Sequence, residues 1–392
     1  MRQDDPIRIA RDVPFYKIIP VLLLFGLLPT SVIAQETPTS DADSVDLEAA
    51  LQQHSYRLRI ENGSLQGRGG NWLREEAKKA TLIALGESHG TKEIPAIMEA
   101  LLNDLQAAGE VDHLALEVSP WTADLMTNKL QQPDSAFTTF IEERPAAIPF
   151  YALRPERDLV RTFVRQSDSE QPLWGLDQIF ALATDLALDR LAELAPTADA
   201  RRAIKNARAR ADSTSATDPA LKKLPANMPV PLTVHPRPAF DTLQSYFKGV
   251  EEAQRLLKEL AISAQIYRLN DTNNYRSNQI RARYLRRNLL RQFERAEGQS
   301  NDAPQVALKV GGAHAYRDRS PNNALDVGNL AVALAERSGG AALNVAVFCG
   351  PNSTARDFPA GTTDCWSELR APFKAALGNG PTLFDLTAIH SL

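Results

Sequence analysis

The sequence predicts an α/β fold: a mostly parallel central sheet with helices on both faces and a large helical insertion forming a cap. Three observations predict it. Short, continuous apolar runs of strand length recur along the chain, as expected for strands covered on both sides. Segments with helical spacing separate them. Residues from about 178 to 300 differ in character and interrupt the alternation.

The elements follow in order. Residues 43–54 form a short helix by their apolar spacing. Ala80 to Leu85 is an apolar run ended by Gly86, a buried strand. Ile94, Ile97, Met98, Leu101, Leu102 and Leu105 then mark one side of a helix, with Pro95 in its first turn, where a missing N–H costs nothing. His113 to Val118 is the second strand, and Thr122 to Leu130 a helix. Leu173–Asp177, Val306–Val310 and Leu343–Phe348 supply strands three to five, and Thr382–Leu386 a candidate sixth. Within the insertion, 180–195 and 200–211 read as helices. Prolines at 219, 225, 229, 231, 236 and 238 interrupt helix over 213–240, and a long helical stretch covers about 243–297.

Composition excludes other classes. Apolar residues make up 43% and charged residues 23% of the 392, which argues against wholesale disorder and against a coiled coil. The net charge of −4 gives no pull toward nucleic acid. Arg2, Arg8, Arg11 and Lys17, an apolar run over 18–28 and the small residue Ala34 predict a signal peptide over 1–34. A flexible leader over 35–45 and a single domain over 46–392 follow. That run is too short to span a bilayer of about 30 Å, so no stable membrane span is expected in the mature chain. The expected location is periplasmic or secreted. Export favours a disulfide between Cys349 and Cys365, the only two cysteines.

Ligands of open α/β sheets bind at the carboxyl ends of the strands, and polar residues collect there. Gly86-Glu87-Ser88-His89-Gly90-Thr91 follows strand one, Glu117 ends strand two, Asp177-Gln178 ends strand three, and Gly311-Gly312-Ala313-His314 follows strand four. His89 is the candidate general base. It sits before a helix N-terminus, whose dipole is expected to keep the ring neutral. Glu87 orients it; Glu117 and His314 complete the catalytic set. A carboxylate at a buried strand end requires a partner, so Glu117 has a structural reading as an ion pair. Asp177 reads either as a substrate-binding residue or as a helix cap, and Lys309 as a paired charge. Arg276 is the candidate for polarising a carbonyl; Asn278 and Tyr316 are candidates for substrate binding. The remaining arginines of 281–295 read mostly as a solvated helix face. The same loop also spells G-x-S-x-G, which offers Ser88 as a competing nucleophile.

The Gly86–Thr91 loop, Leu116-Glu117, the polar segment around Arg276 and Gly312-Ala313-His314 resemble the erythromycin esterase-like proteins. Their wider superfamily includes the ChaN-like haem-binding and Tiki-like metal-dependent proteins. The resemblance implies a hydrolase of an ester, lactone or amide that works by His-activated water without a cofactor. His89 would be its base, with Glu87, Glu117, His314 and Arg276 around it and a small molecule or peptide as substrate. The alternatives it implies are haem binding, or a divalent metal held by His89, Glu117 and His314 in a peptidase.

Overall fold

Side chains of a parallel strand alternate between its two faces, and here each face meets its own layer of helices. The computed structural model describes residues 47–390 except 134, 145–146, 218–236, 301, 351–354, 358–360, 364–369 and 378–379. The expected signal peptide and leader lie outside the described residues. Five strands form the central sheet: β1 (Ala80–Glu87), β2 (His113–Leu116), β3 (Leu173–Gly175), β4 (Val306–Gly311) and β5 (Ala341–Val347). They lie in the order β3-β2-β4-β1-β5, all parallel.

One face of the sheet presents Ile83, Leu85, Leu114 and Leu116 to α1 (Glu93–Ala107), α2 (Pro120–Leu130) and α3 (Arg154–Gln166). The other presents Leu82, Ala84, Ala115 and Leu308 to two later helices. The insertion supplies α4 (Thr184–Glu193), α5 (Ala198–Thr217), α6 (Arg237–Ser245), α7 (Glu251–Thr272) and α8 (Asn274–Glu297), and α9 (Val327–Arg337) follows β4. The two helices on that second face are α8, through Leu285, Leu289 and Phe293, and α9, through Val327, Ala331 and Leu334. Helices α4 to α7 enclose a core of their own around Leu188, Ile204, Phe240, Phe247 and Leu260. That is the cap.

Three features differ from the sequence reading. The sixth strand, Thr382–Phe384, does not join the sheet; it pairs antiparallel with Ser55–Arg57. The long helical stretch is broken twice: at 246–250, between α6 and α7, where Gly249 has positive φ, and at Asn273, which leaves helical geometry and whose Oδ1 accepts the Arg276 N–H at 3.0 Å. Asn and Asp bond their own backbone readily and so interrupt helices, and 270–274 reads Asn-Asp-Thr-Asn-Asn. The sequence reading also placed no element over 55–79, where a helix covers Gly67–Lys78 and a hairpin pairs Arg59–Glu61 with Ser64–Gln66. Asn62 and Gly63, both at positive φ, turn it, as a two-residue hairpin loop requires. Among the described residues no helix is long and apolar enough to cross a membrane. Cys349 is buried and disulfide-bonded; Cys365 lies outside the described residues.

Candidate active site

The strand order alone brings the candidate residues together. Because β4 lies between β1 and β2, with Glu87 opposite Gly311, the ends of these three strands share one rim. Glu87 is the last residue of β1 and Glu117 directly follows β2. A short helical turn over Gly312–His314 delivers His314 from the end of β4. Gly90, at φ +85, turns the loop that carries His89, in a conformation glycine adopts without steric cost.

Two imidazoles face one carboxylate. His89 Nδ1 lies 2.8 Å from Glu87 Oε1, and its Nε2 lies 3.4 Å from Glu117 Oε2. His314 Nδ1 lies 2.7 Å from Asp326 Oδ2, and its Nε2 lies 3.7 Å from Glu117 Oε1. Each ring therefore has Nδ1 fixed by a carboxylate and Nε2 turned toward Glu117. The Phe150 ring stacks on His89 with centroids 4.4 Å apart. Among these groups His89 is the accessible one. Its side chain is 32% exposed, against 1% for Glu87, 10% for Glu117 and 6% for His314.

Charge is balanced beneath the rim. Arg281, from α8, donates to Glu117 Oε1 at 2.6 Å and, through Nε, to Asp177 Oδ1 at 3.0 Å. The Gly311 N–H donates to Glu117 Oε2 at 2.6 Å. Lys309, buried within β4, donates to Glu87 Oε1 at 2.5 Å, and its Nζ lies 2.8 Å from Glu156 Oε2. These contacts set the protonation states. Burial raises the Glu117 carboxyl, but His314, His89 and Arg281 overcome this and hold it well below its ordinary value. Burial likewise raises Glu87, which Lys309 and His89 pull back down. The Glu156 carboxyl, also buried, is pushed up to about 7 despite Lys309.

The expectation of a neutral His89 is reversed. Burial lowers its pKa, but Glu117 and Glu87 together raise it to about 10. Two carboxylates at contact distance outweigh a helix terminus whose nearest turn starts at Glu93, because dipole effects fade within a turn. His314 is also raised, Asp326 and Glu117 outweighing its burial and the opposing Arg281.

The structure groups Glu87, His89, Glu117, His314 and Asp177. The other candidates make no hydrogen bond or ion pair with these five among the described residues. Arg276 is exposed in the first turn of α8, Asn278 donates to Asn274 Oδ1 at 2.9 Å, and Tyr316 is 44% exposed. The guanidinium that reaches Glu117 belongs to Arg281, which sequence reasoning assigned to a solvated face. Its signal was present: Tyr284, Leu285, Asn288 and Leu289 lie three, four, seven and eight residues on, all buried, so Arg281 is in phase with the core stripe. Asp326, Glu156 and Phe150 were also missed. Asp177 binds Arg281 rather than capping a helix. Ser88 continues the sheet, its N–H donating to Val347 O at 3.4 Å. It is not among the residues of positive φ, so the strained turn of a nucleophile elbow is missing there.

The donor set does not suit a divalent cation. Imidazoles with carboxylates on Nδ1 are usual around metals, but both Glu117 oxygens already accept from Arg281 and Gly311. A cation at Glu117 would also face a fixed guanidinium. Among the described residues no group of three His, Cys, Asp or Glu side chains has the geometry to hold a metal ion.

A scan of protein-family models and a search of curated protein sequences return no match for this chain. Solved structures give distant similarities. A mutant of the erythromycin esterase EreC in its open conformation is 16% identical, with 75% of this chain and 77% of that one covered and a TM-score of 0.47. A Bacillus cereus protein is 12% identical over 81% and 79% of the two chains, with a TM-score of 0.48. A succinoglycan biosynthesis protein is 13% identical over 76% and 74%, also at 0.48. The likeness is one of distant fold.

Proposed function

We propose that the chain is an exported hydrolase that cleaves an ester, lactone or amide with water activated by His89. The observation that carries this reading is the placement of one accessible imidazole, its Nδ1 on Glu87 and its Nε2 3.4 Å from Glu117 Oε2. That separation exceeds a direct hydrogen bond, and the 32% exposure of the side chain gives a water and a substrate carbonyl access to it. Glu87 fixes the tautomer, as a carboxylate behind a catalytic histidine does. Glu117, His314 and Arg281 supply a preorganised field beside the reacting carbonyl.

His89 must lose its proton before it can accept one from water. With its pKa at about 10, the base form grows as the pH rises toward that value, so hydrolysis is expected to climb through the alkaline range. A rate that falls over the same range would assign the imidazolium an acid role and refute His89 as the base.

The direct test is a panel of esters, lactones and peptides assayed with and without chelator. His89→Ala is expected to abolish turnover and Ser88→Ala to leave it intact. The reverse result would restore the serine nucleophile. Loss of activity on chelation would overturn the metal-free reading, and a Soret band in the purified protein would favour haem binding. Export is tested separately, by sequencing the N-terminus of the protein recovered from its native compartment; the expected start is Gln35.

A further inference from the structure

Helices α7 and α8 line a groove of about 280 Å³ that shares no residue with the histidine cluster. Arg255 and Lys258 project from α7 at a spacing of three, and Arg287 and Arg291 from α8 at a spacing of four. Such spacings put each pair on one helix face. All four are exposed. The remaining lining is Glu259, Tyr284 and Asn288, which are 5%, 4% and 1% exposed. The walls are therefore cationic and exposed, while the floor is polar and buried.

The floor has an unfilled valence. Glu259 Oε2 accepts the Trp121 N–H at 3.3 Å, but Oε1 is buried with no hydrogen-bond partner among the described residues. A buried carboxyl oxygen without a donor costs stability and marks a place where a donor from outside would be welcome. Burial pushes this carboxyl up to about 7, so Glu259 is about half ionised at neutral pH and offsets only part of the wall charge. Asp124 stands 3.9 Å from Arg255 and also acts on Arg291, and Glu252 acts on Arg255, so the wall charge is partly offset.

We propose that this groove binds a phosphorylated small polyol or sugar, with the phosphate held by Arg255, Lys258, Arg287 and Arg291 and a hydroxyl over Glu259. Guanidinium forks match phosphate oxygens two at a time, and four cations around one cleft exceed what a monocarboxylate can neutralise. The volume lies just under the roughly 300 Å³ at which small-molecule pockets begin, which suits a phosphate with a short organic part.

The full chain is titrated calorimetrically at low salt with glucose 6-phosphate, inorganic phosphate and glucose. Saturable binding of glucose 6-phosphate is expected, tighter than that of inorganic phosphate, with none for glucose. Added sodium chloride should weaken it, as screening requires. The double variant Arg287→Gln/Arg291→Gln should weaken it at least about tenfold, equivalent to about 1.4 kcal/mol. Arg255→Gln/Lys258→Gln, on the other helix, should do the same. Both alter exposed side chains, and circular dichroism checks that each remains folded. Binding that survives both substitutions marks an adventitious ion only and overturns the proposal. So does the absence of saturable binding, or inorganic phosphate binding as tightly as the sugar phosphate.

Discussion

Arg281 donates through Nη2 to Oε1 of Glu117 at 2.6 Å, tying α8 to the rim of the sheet. The same guanidinium holds Asp177, so one cation satisfies two carboxylates that are 10% and 7% exposed. Breaking a buried pair by removing one partner typically costs about 3–5 kcal/mol, because the other charge is left unpaired. Arg281→Gln is therefore expected to lose stability in that range by urea unfolding. Arg276→Gln, altering an exposed side chain, should stay within about 0.5 kcal/mol of the parent. Equal losses for the two would contradict the assignment of Arg281 as the arginine of the site.

Lys309 presents a sharper case, because it is 4% exposed in the middle strand of the sheet. Its neighbours Glu87 and Glu156 are as deeply buried. Lys309→Met fits the apolar surroundings but strands two carboxyls, and a loss of about 3–5 kcal/mol is expected. Adding Glu156→Gln to Lys309→Met should recover part of that loss, since one of the stranded groups can then no longer ionise. A double-mutant cycle measures the recovery; strict additivity would show that Lys309 and Glu156 do not interact.

Much of this arrangement was legible in the sequence, and the reason is periodicity. Runs such as Ala80–Leu85 and Val306–Val310 are covered on both faces, so their burial is written in adjacent residues, and observed strands β1 and β4 differ from the reading only at their ends. The rim residues Glu87, Glu117 and His314 follow from the strand ends. What local pattern does not carry is which strands are neighbours. The order β3-β2-β4-β1-β5 decides that Lys309 stands beside Glu87, and no residue near Lys309 announces it. Asp326 reaches His314 by a loop return, a contact set by tertiary packing. Arg281 was hidden differently: six further arginines on the same helix made its charge look like surface, although its phase placed it inside.

The pH dependence of stability follows from His89. In the unfolded chain its pKa returns to about 6.5 and in the folded chain it stands at about 10, so folding tightens proton binding. The resulting stabilisation is complete below about 6.5 and is lost progressively as pH rises through 10. Comparing urea midpoints of the parent and His89→Gln across this window cancels the other titrating groups. The parent should lose more stability than the variant as the pH rises, with the gap closing at the alkaline end. A gap that does not change with pH would mean that Glu87 and Glu117 do not hold the ring protonated.

Gly311 offers a way to disturb the site while leaving its charges in place. A Cβ at this position would stand 2.9 Å from His89 Nε2, which must shift, and 3.2 Å from Glu117 Oε2, a tight contact that a few tenths of an ångström relieve. His89 is part-exposed and held through Nδ1, so the ring is the group with room to move, whereas Glu117 is fixed from three sides by Arg281, Gly311 and the imidazoles. Gly311→Ala is thus expected to fold, to turn His89 away from Glu117, and to lower the histidine pKa toward its ordinary value by weakening the field of Glu117, which raises it more than Glu87 does. Histidine resonances followed by NMR across pH 6 to 10 would report that fall directly in one ring. An unshifted His89 in a folded Gly311→Ala chain would show that the imidazole and Glu117 are not in the contact described, and that the field at the site has another source.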